Sequence, residues 1–272
     1  MKYTEYKYEP GTTLKIPVTN ILYGGLITLK HAIEFIKSNK PQLLEEYIDI
    51  LKTELSKSDQ FDVSVMYEPE IMKIYPDLHK LYVNKILTLL NYSKYDSYMI
   101  EDAIEIEIDD AIRSMHLNGY YLSLPFLELL DDTNAIELSK QFGKYLVQTN
   151  PASTRESDTI DDRLNGFLIA FFNRWKAHDV MIGKYDENTI LYKITKCRWH
   201  DIMKEMNLEP SLFYASFCYG DYAMTKRFNP NFELTRTKTL VEGFQYCDFC
   251  ERDTRYSKDS EHPQKEFWEQ LS

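Results

Sequence analysis

The chain has 272 residues, of which 43% are hydrophobic and 28% are charged. This length and composition allow one large or two small domains with a substantial core, and they exclude disorder over long stretches. The formal net charge of −11, with no block of basic residues, argues against nucleic acid or an anionic membrane as the main partner.

The first residues, MKYTEYKYEP, contain no apolar core of the kind that a secretion signal has. The most apolar runs, ILYGGLITL and GFLIAFF, are too short to span a bilayer. We therefore expect a cytoplasmic protein. In that compartment the four cysteines are expected to be free thiols or metal ligands, and not a disulfide framework.

The first half of the chain is predicted to be helical, because apolar residues recur at spacings of three and four. The predicted helices cover residues 20–38, 41–56, 68–90 (with Pro76 as a break or kink), 99–117 and 131–148. The centre of segment 99–117 alternates isoleucine with acids, as a strand would. We interpret it as a helix because glutamate and alanine dominate and its flanks are helical, with the acidic run 101–110 as a solvated face.

The second half is predicted to mix helices with an antiparallel sheet. Its predicted elements are a helix from Asp158 to about His178, a hairpin of residues 180–185 and 189–195, a short helix after Cys197, a helix over 210–227, and a hairpin of residues 232–239 and 244–250 with Gly243 in the turn. The predicted fold class is therefore α+β, with a helical N-terminal half followed by a small antiparallel sheet packed with helices.

Residues 150–157, NPASTRES, are the predicted domain boundary. The predicted domains are a helical N-terminal region over 1–152, an α+β domain over 153–251, and a polar, loosely held C-terminal tail over 252–272.

The chain ends its last predicted strand with a C-x-x-C motif, Cys247 and Cys250. Side chains alternate across a strand, so a regular strand sends these two thiols to opposite faces. A zinc knuckle needs a tight turn that brings both sulfurs together. We therefore expect Cys247 to contribute to a site without Cys250.

Other candidate residues lie on separate predicted elements. Cys197 is at the start of a short helix, where the helix dipole favours a thiolate, and His200 follows one turn later. Asp221 lies beside the apolar stripe of the helix over 210–227, on the same flank as Cys218. Arg236 lies on the apolar side of its strand and needs an anionic partner, which is either an aspartate of the protein or a carboxylate on a ligand.

These residues together resemble a known family. The order Cys197-x-x-His200, Cys218-x-x-Asp221, Asn-Pro at 229–230 and RTKTLVEGFQYCDF over 236–249 resembles the L-2-amino-thiazoline-4-carboxylic acid hydrolase family over roughly residues 155–250. The resemblance implies a hydrolase that opens a C–N or C–S bond of a small cyclic amidine carboxylate. The α+β region also looks like vinyl-reductase-type small-molecule-binding domains, some of which use cysteines to hold a metal.

The leading hypothesis is a small-molecule hydrolase with one of two kinds of nucleophile. In the first, a thiolate of Cys197 or Cys247 attacks the amidine carbon, Asp221 or His200 transfers the proton, and Arg236 with Thr237 binds a substrate that carries a carboxylate. In the second, a metal-bound hydroxide attacks, and zinc is held by Cys197, Cys218 and Cys247. The cofactor is thus none or zinc.

Two other functions stay open. The same pocket could bind a small molecule without chemistry, as a sensor or accessory module, or it could serve a different ring hydrolysis or lyase reaction. The candidate residues also have structural interpretations: the thiols as small core residues, and Asp221 in an ion pair with Arg227 or Arg236. The sequence does not indicate the oligomeric state or the role of the N-terminal helices.

Overall fold

The structure is a computed structural model that describes residues 3–62, 73–95, 101–149, 158–256 and 261–271. The predicted boundary at 150–157 lies outside these residues, as does the segment 68–72 of the third predicted helix. The described elements confirm the α+β fold class.

Within the described ranges the helices, numbered in chain order, are α1 Val18–Asn39, α2 Leu44–Leu55, α3 Pro76–Leu90, α4 Ile108–His116, α5 Asn118–Leu129, α6 Asp132–Thr149, α7 Ile160–Arg163, α8 Ile169–Trp175, α9 Arg198–Glu205, α10 Pro210–Phe213, α11 Gly220–Phe228 and α12 Lys265–Gln270. Turns of π-helix join α7 to α8 over Leu164–Leu168 and follow α10 over Tyr214–Cys218. The strands are β1 Tyr3–Tyr6, β2 Thr13–Pro17, β3 Ala103–Glu107, β4 His178–Asp186, β5 Thr189–Cys197, β6 Phe232–Thr235 and β7 Cys247–Asp253.

The described residues form two compact units. The helical unit comprises residues 13–62, 73–95, 101–149 and 215–217, and the sheet unit comprises residues 3–12, 158–214, 218–256 and 261–271. Residues 3–12, which the sequence analysis placed with the helical region, thus belong to the sheet unit. So do the described residues of the expected tail, where Trp268 and Leu271 are buried.

The helical unit contains α1 to α6 and one small sheet. Apolar residues of α1 at helical spacing, such as Leu22, Leu26, Leu29 and Ile33, are fully buried. Pro76 begins α3 and does not kink it, since proline suits the first turn of a helix.

The predicted helix over 99–117 is wrong in its first part. Residues 103–107 form β3, which pairs antiparallel with β2, and the two strands make up the small sheet of the helical unit. Its burial alternates, with Ile104 and Ile106 inside and Glu105 and Glu107 in solvent. The alternation of isoleucine and acid is therefore a strand signal that outweighs the helix propensity of glutamate and alanine. The helix α4 begins only at Ile108.

The sheet unit is built on a five-stranded antiparallel sheet in the order β1-β4-β5-β7-β6. The predicted hairpin of β4 and β5 is confirmed and is longer than predicted. The helix expected from Asp158 is present as α7, the π turn and α8. The strand β1 was not predicted, and it adds to the edge of β4 with Tyr3 opposite Gly183.

The predicted strand over 232–239 is shorter in the structure, because β6 ends at Thr235. Beyond it, the amide N–H groups of Thr237 and Lys238 donate to the carboxylate of Asp248 in β7. The main chain of Thr237 and Lys238 is therefore hydrogen-bonded to a side chain of β7, in place of the regular strand pairing that ends at Thr235. Gly243 has φ +89°, a conformation that favours glycine, and it lies in the predicted turn.

The two faces of this sheet carry different cores. One face packs against α7, the π turn and α8, and Cys247 and Phe249 belong to it. The other packs against α12, and Tyr246 and Cys250 belong to it. The prediction that Cys247 and Cys250 point to opposite faces is confirmed. Among the described residues, no helix has the length and apolar character needed to cross a bilayer.

Candidate active site

Three cysteines of the sheet unit come from three separate elements. Cys197 is the last residue of β5 and the N-cap of α9, Cys218 ends the π turn after α10, and Cys247 begins β7. All three are free thiols. They lie close enough for their charges to interact, since a negative charge on Cys197 or on Cys247 raises the pKa of Cys218. The fold therefore brings these three thiols into one region.

Cys197 occupies the helix start that the sequence predicted, but its thiol is not acidic at rest. Burial raises the pKa of Cys197 to about 12, and the neighbouring Cys247 adds to the rise. The main-chain N–H groups of His200 and Trp199, at the start of α9, lower the pKa. The cost of removing the thiolate from water thus exceeds what the helix start supplies.

The side chain of His200 lies with residues of α9. Its Nδ1 is 3.7 Å from Oδ1 of Asp201. Burial lowers the pKa of His200, and Lys204 lowers it further, against the opposite effect of Asp201.

Asp221 and Arg236 form the ion pair that the sequence analysis considered. Arg236 Nη1 donates to Asp221 Oδ2 at 2.7 Å, and Nη2 donates to the carbonyl oxygen of Cys218 at 3.0 Å. The Arg236 side chain is 2% exposed, whereas that of Asp221 is 36% exposed. Burial raises the pKa of Asp221 and Arg236 lowers it. Because over a third of the side chain meets solvent, we expect the rise to be modest.

Aromatic rings surround the guanidinium of Arg236. Its central carbon lies 4.8 Å from the ring centre of Phe249, 5.3 Å from that of Tyr222 and 5.6 Å from that of Tyr214. Such contacts stabilise a cation that has been removed from water. The Nε of Arg236 is buried and has no hydrogen-bond partner within the part of the chain that the structure describes.

The other two thiols are also held in their neutral form. Burial raises the pKa of Cys218 well above its ordinary value, although Arg236 lowers it. Burial raises the pKa of Cys247 to about 12. The sulfur of Cys247 accepts the main-chain N–H of Leu240 at 3.2 Å.

Thr237, a predicted substrate-binding residue, bonds to the protein itself. Its main-chain N–H donates to Asp248 Oδ1 at 2.8 Å, and its hydroxyl donates to Oδ2 of the same carboxylate. His262 Nε2 is 3.1 Å from Oδ2 of Asp248, and its Nδ1 is 2.9 Å from the hydroxyl of Thr235. Burial raises the pKa of Asp248, but these donors reverse the effect, so the pKa is lowered.

The motif Arg-Thr-x-Thr and the closing Cys-Asp-Phe thus meet in space. Asp248 joins the loop after β6 to β7, and Arg236 of the first motif reaches Asp221. A negative charge on Cys247 of the second motif raises the pKa of Cys197 and of Cys218.

Residues 134–250 match the family model of L-2-amino-thiazoline-4-carboxylic acid hydrolase. The resemblance of the C-terminal region to this hydrolase family is therefore confirmed. The match includes all the predicted site residues and ends at Cys250. No curated protein and no solved structure matches the chain.

A second buried ion pair lies inside and just beyond the region that matches the hydrolase family. Arg163 donates from Nε and Nη2 to the two carboxylate oxygens of Glu251, at 2.7 and 2.9 Å, and the hydroxyl of Tyr192 donates to Glu251 Oε1 at 2.7 Å. Both charges influence Asp221. Sequence reasoning missed this pair, and the signal was available, because Arg163 occurs within a predicted apolar helix.

Zinc stays a prediction for this hydrolase-like region. Within the described residues, no three His, Cys, Asp or Glu side chains are grouped in a way that could hold a metal ion. The three thiols in this arrangement therefore do not fit a zinc site.

A surface groove of about 620 Å³ lies elsewhere on the sheet unit. Its lining includes Asp161, Leu164, Ile182, Lys184 and Glu187. None of the predicted site residues lines this groove.

Proposed function

We propose that the sheet unit hydrolyses a C–N or C–S bond of a small cyclic amidine, such as an aminothiazoline carboxylate, by means of a cysteine nucleophile. The observation that carries the proposal is that Cys197 and Cys247 both act electrostatically on Cys218, whose carbonyl oxygen accepts, together with Asp221, from the buried Arg236. A thiol, a proton-carrying carboxylate and a cation are the groups that hydrolysis of an electrophilic carbon requires. The family match supports hydrolase chemistry in general.

Cys197 is the proposed nucleophile. It is partly exposed, whereas Cys247 is buried. The main-chain N–H groups of Trp199 and His200 lower its pKa, and they would help to hold the negative charge of a thiolate.

The rise in the pKa of Cys197 from 9.0 to about 12 corresponds to about 4 kcal/mol at the resting site. A protonated amidine brings a positive charge next to the thiol, and this charge favours the thiolate. We therefore expect the thiol to become reactive when the substrate is bound, and to be inert without it.

The proposed reaction proceeds in two steps. The thiol proton passes to the carboxylate of Asp221, the sulfur bonds to the amidine carbon, and the ring C–N or C–S bond breaks as Asp221 returns the proton to the leaving atom. Water then adds to the same carbon, which releases the thiol and gives the ring-opened carbamoyl product with the water oxygen in its carbonyl group. A raised pKa suits Asp221 to both transfers.

The test replaces each cysteine by serine in the full chain and measures hydrolysis of 2-aminothiazoline-4-carboxylate together with bound zinc. Cys197→Ser is expected to lower kcat/KM on the order of 10³-fold or more, as loss of a nucleophile does. Cys250→Ser is the matched control, because Cys250 is buried in the same strand as Cys247 but on the opposite face of the sheet.

Other outcomes would replace this mechanism. Loss of zinc in step with loss of turnover across Cys197, Cys218 and Cys247 would support the metal-bound hydroxide. Binding of the compound without any turnover in the wild-type protein would support the non-catalytic binding module.

A further inference from the structure

The two carboxylate oxygens of Asp221 are used differently. Oδ2 accepts a hydrogen bond from Arg236, while Oδ1 accepts none from any residue in the described ranges. The Asp221 side chain is the exposed member of the pair, and the arginine is buried behind it. A molecule that approaches from solvent therefore meets a carboxylate oxygen before it meets the guanidinium.

Arg236 is poorly placed to receive a carboxylate from a substrate. Its Nη1 and Nη2 donate to Asp221 and to the carbonyl oxygen of Cys218, and its Nε is sealed from solvent. Rings of Phe249, Tyr222 and Tyr214 lie within 5.6 Å of its central carbon. Its role is to fix Asp221 and to keep that carboxylate ionised.

Aromatic side chains also stand beside the ion pair. The ring centre of Tyr219 lies 5.4 Å from that of Tyr222 and 6.3 Å from that of Tyr214. All three tyrosines are partly exposed. Flat, delocalised cations bind well where a carboxylate oxygen accepts their N–H groups and aromatic rings face their charge.

We propose that Asp221 Oδ1 binds the protonated amidine of the ligand, with Arg236 as a positioning residue and the tyrosine cluster of Tyr214, Tyr219 and Tyr222 beside the bound ring. The proposal rests on the proposed function for the identity of the ring, but the charge that it requires follows from the ion pair itself. The positive amidine, and not the carboxylate, is thus the group that selects the ligand.

The experiment measures binding by calorimetry to the full chain carrying Cys197→Ser, so that no turnover interferes. The probes are 2-aminothiazoline, which has the cation alone, 2-aminothiazoline-4-carboxylate, which has both charges, and thiazoline-4-carboxylate, which lacks the amino group. We expect the first two to bind with similar Kd. The third should bind about 10- to 100-fold more weakly, as the loss of a charge-assisted hydrogen bond implies.

Asp221→Asn should weaken the binding of 2-aminothiazoline by a similar factor. Asp161→Asn removes an acid that pairs with Lys184 at the surface of the same unit, and it should change nothing. Because the three probes already discriminate on the Cys197→Ser chain, the proposal stays testable if Asp221→Asn does not fold.

Each outcome decides one of the two proposals. The cation site is overturned if thiazoline-4-carboxylate binds as tightly as 2-aminothiazoline-4-carboxylate. It is also overturned if 2-aminothiazoline does not bind. Binding that depends on Asp221 in a protein that hydrolyses none of the cyclic amidines upholds the cation site and rejects the hydrolase. Hydrolysis by the wild-type chain, together with binding of 2-aminothiazoline that Asp221→Asn leaves unchanged on the Cys197→Ser chain, upholds the hydrolase and rejects the cation site.

Discussion

Replacing Arg163 by methionine should strongly destabilise the sheet unit. The side chains of Arg163 and Glu251 are 4% and 0% exposed, so the variant leaves a carboxylate in the core without its guanidinium. Breaking a buried ion pair in this way costs about 3–5 kcal/mol. The hydroxyl of Tyr192 still donates to Glu251, and that retained bond is worth about 1 kcal/mol. We therefore expect a loss near the lower end, about 3 kcal/mol.

Tryptophan fluorescence during urea unfolding is a suitable assay, because Trp175, Trp199 and Trp268 all belong to the sheet unit. A loss of about 3 kcal/mol should lower the midpoint by about 1–2 M urea.

The double variant Arg163→Met/Glu251→Gln is the control for this reasoning. It removes both charges and keeps an oxygen that accepts from Tyr192, so it should recover much of the lost stability. If the double variant loses as much as the sum of the single variants, or if Arg163→Met alone costs less than about 1 kcal/mol, the buried pair does not determine stability in the way argued here.

Three further predictions concern other residues of the sheet unit. Burial lowers the pKa of His178 from 6.5 to about 3. The free energy of unfolding should therefore keep the full contribution of neutral His178 above pH 6.5 and fall by about 1.4 kcal/mol per pH unit as the pH drops below 6.5. His178→Phe should remove this slope in urea titrations. Lys193 donates to the carbonyl oxygens of Trp268 and Leu271 at 2.6 and 2.7 Å, so Lys193→Met should cost about 2 kcal/mol in the same titrations. Thr237→Val should cost about 1 kcal/mol and leave KM unchanged, because its hydroxyl donates to Asp248.

Each of these has a distinct contradictory result. An acid slope that persists in His178→Phe would assign it to another group. Lys204→Met replaces an exposed lysine and should leave the free energy of unfolding unchanged. An equal loss of stability in Lys204→Met would show that the loss in Lys193→Met does not come from its two hydrogen bonds. A raised KM in Thr237→Val would support the substrate-binding role that the sequence suggested.

Much of the fold could be predicted because burial leaves a periodic pattern in the sequence. The helix α1 and the hairpin of β4 and β5 are examples, and so is the alternation that separates Cys247 from Cys250. Strand β3 was predicted as helix because its glutamates favour helices, but its apolar residues alternate with a period of two, which is the pattern of a strand. Strand β1 has four residues and pairs with β4, which is far along the chain, so no local sequence pattern predicts it.

The candidate site was predictable in its residues more than in its electrostatics. An ion pair of Asp221 with Arg227 or Arg236 was one alternative that the sequence left open, and the structure has the pair with Arg236. The acidity of Cys197 depends on how much water surrounds its sulfur, which is set by packing that the local sequence does not reveal. The role of Asp248 was missed because its donors include main-chain N–H groups, which carry no side-chain signature.

The position of β1 at the edge of β4 has a consequence for how the protein is made. Tyr3 pairs with Gly183, so β1 has no partner until the ribosome has delivered β4, and from then on β1 covers the edge of β4. An unpaired edge strand is a template for unwanted pairing with other chains. A fragment that starts after the helical unit would keep that edge permanently bare, and a synthetic peptide carrying the Tyr3–Tyr6 segment should restore its solubility by docking as the missing strand.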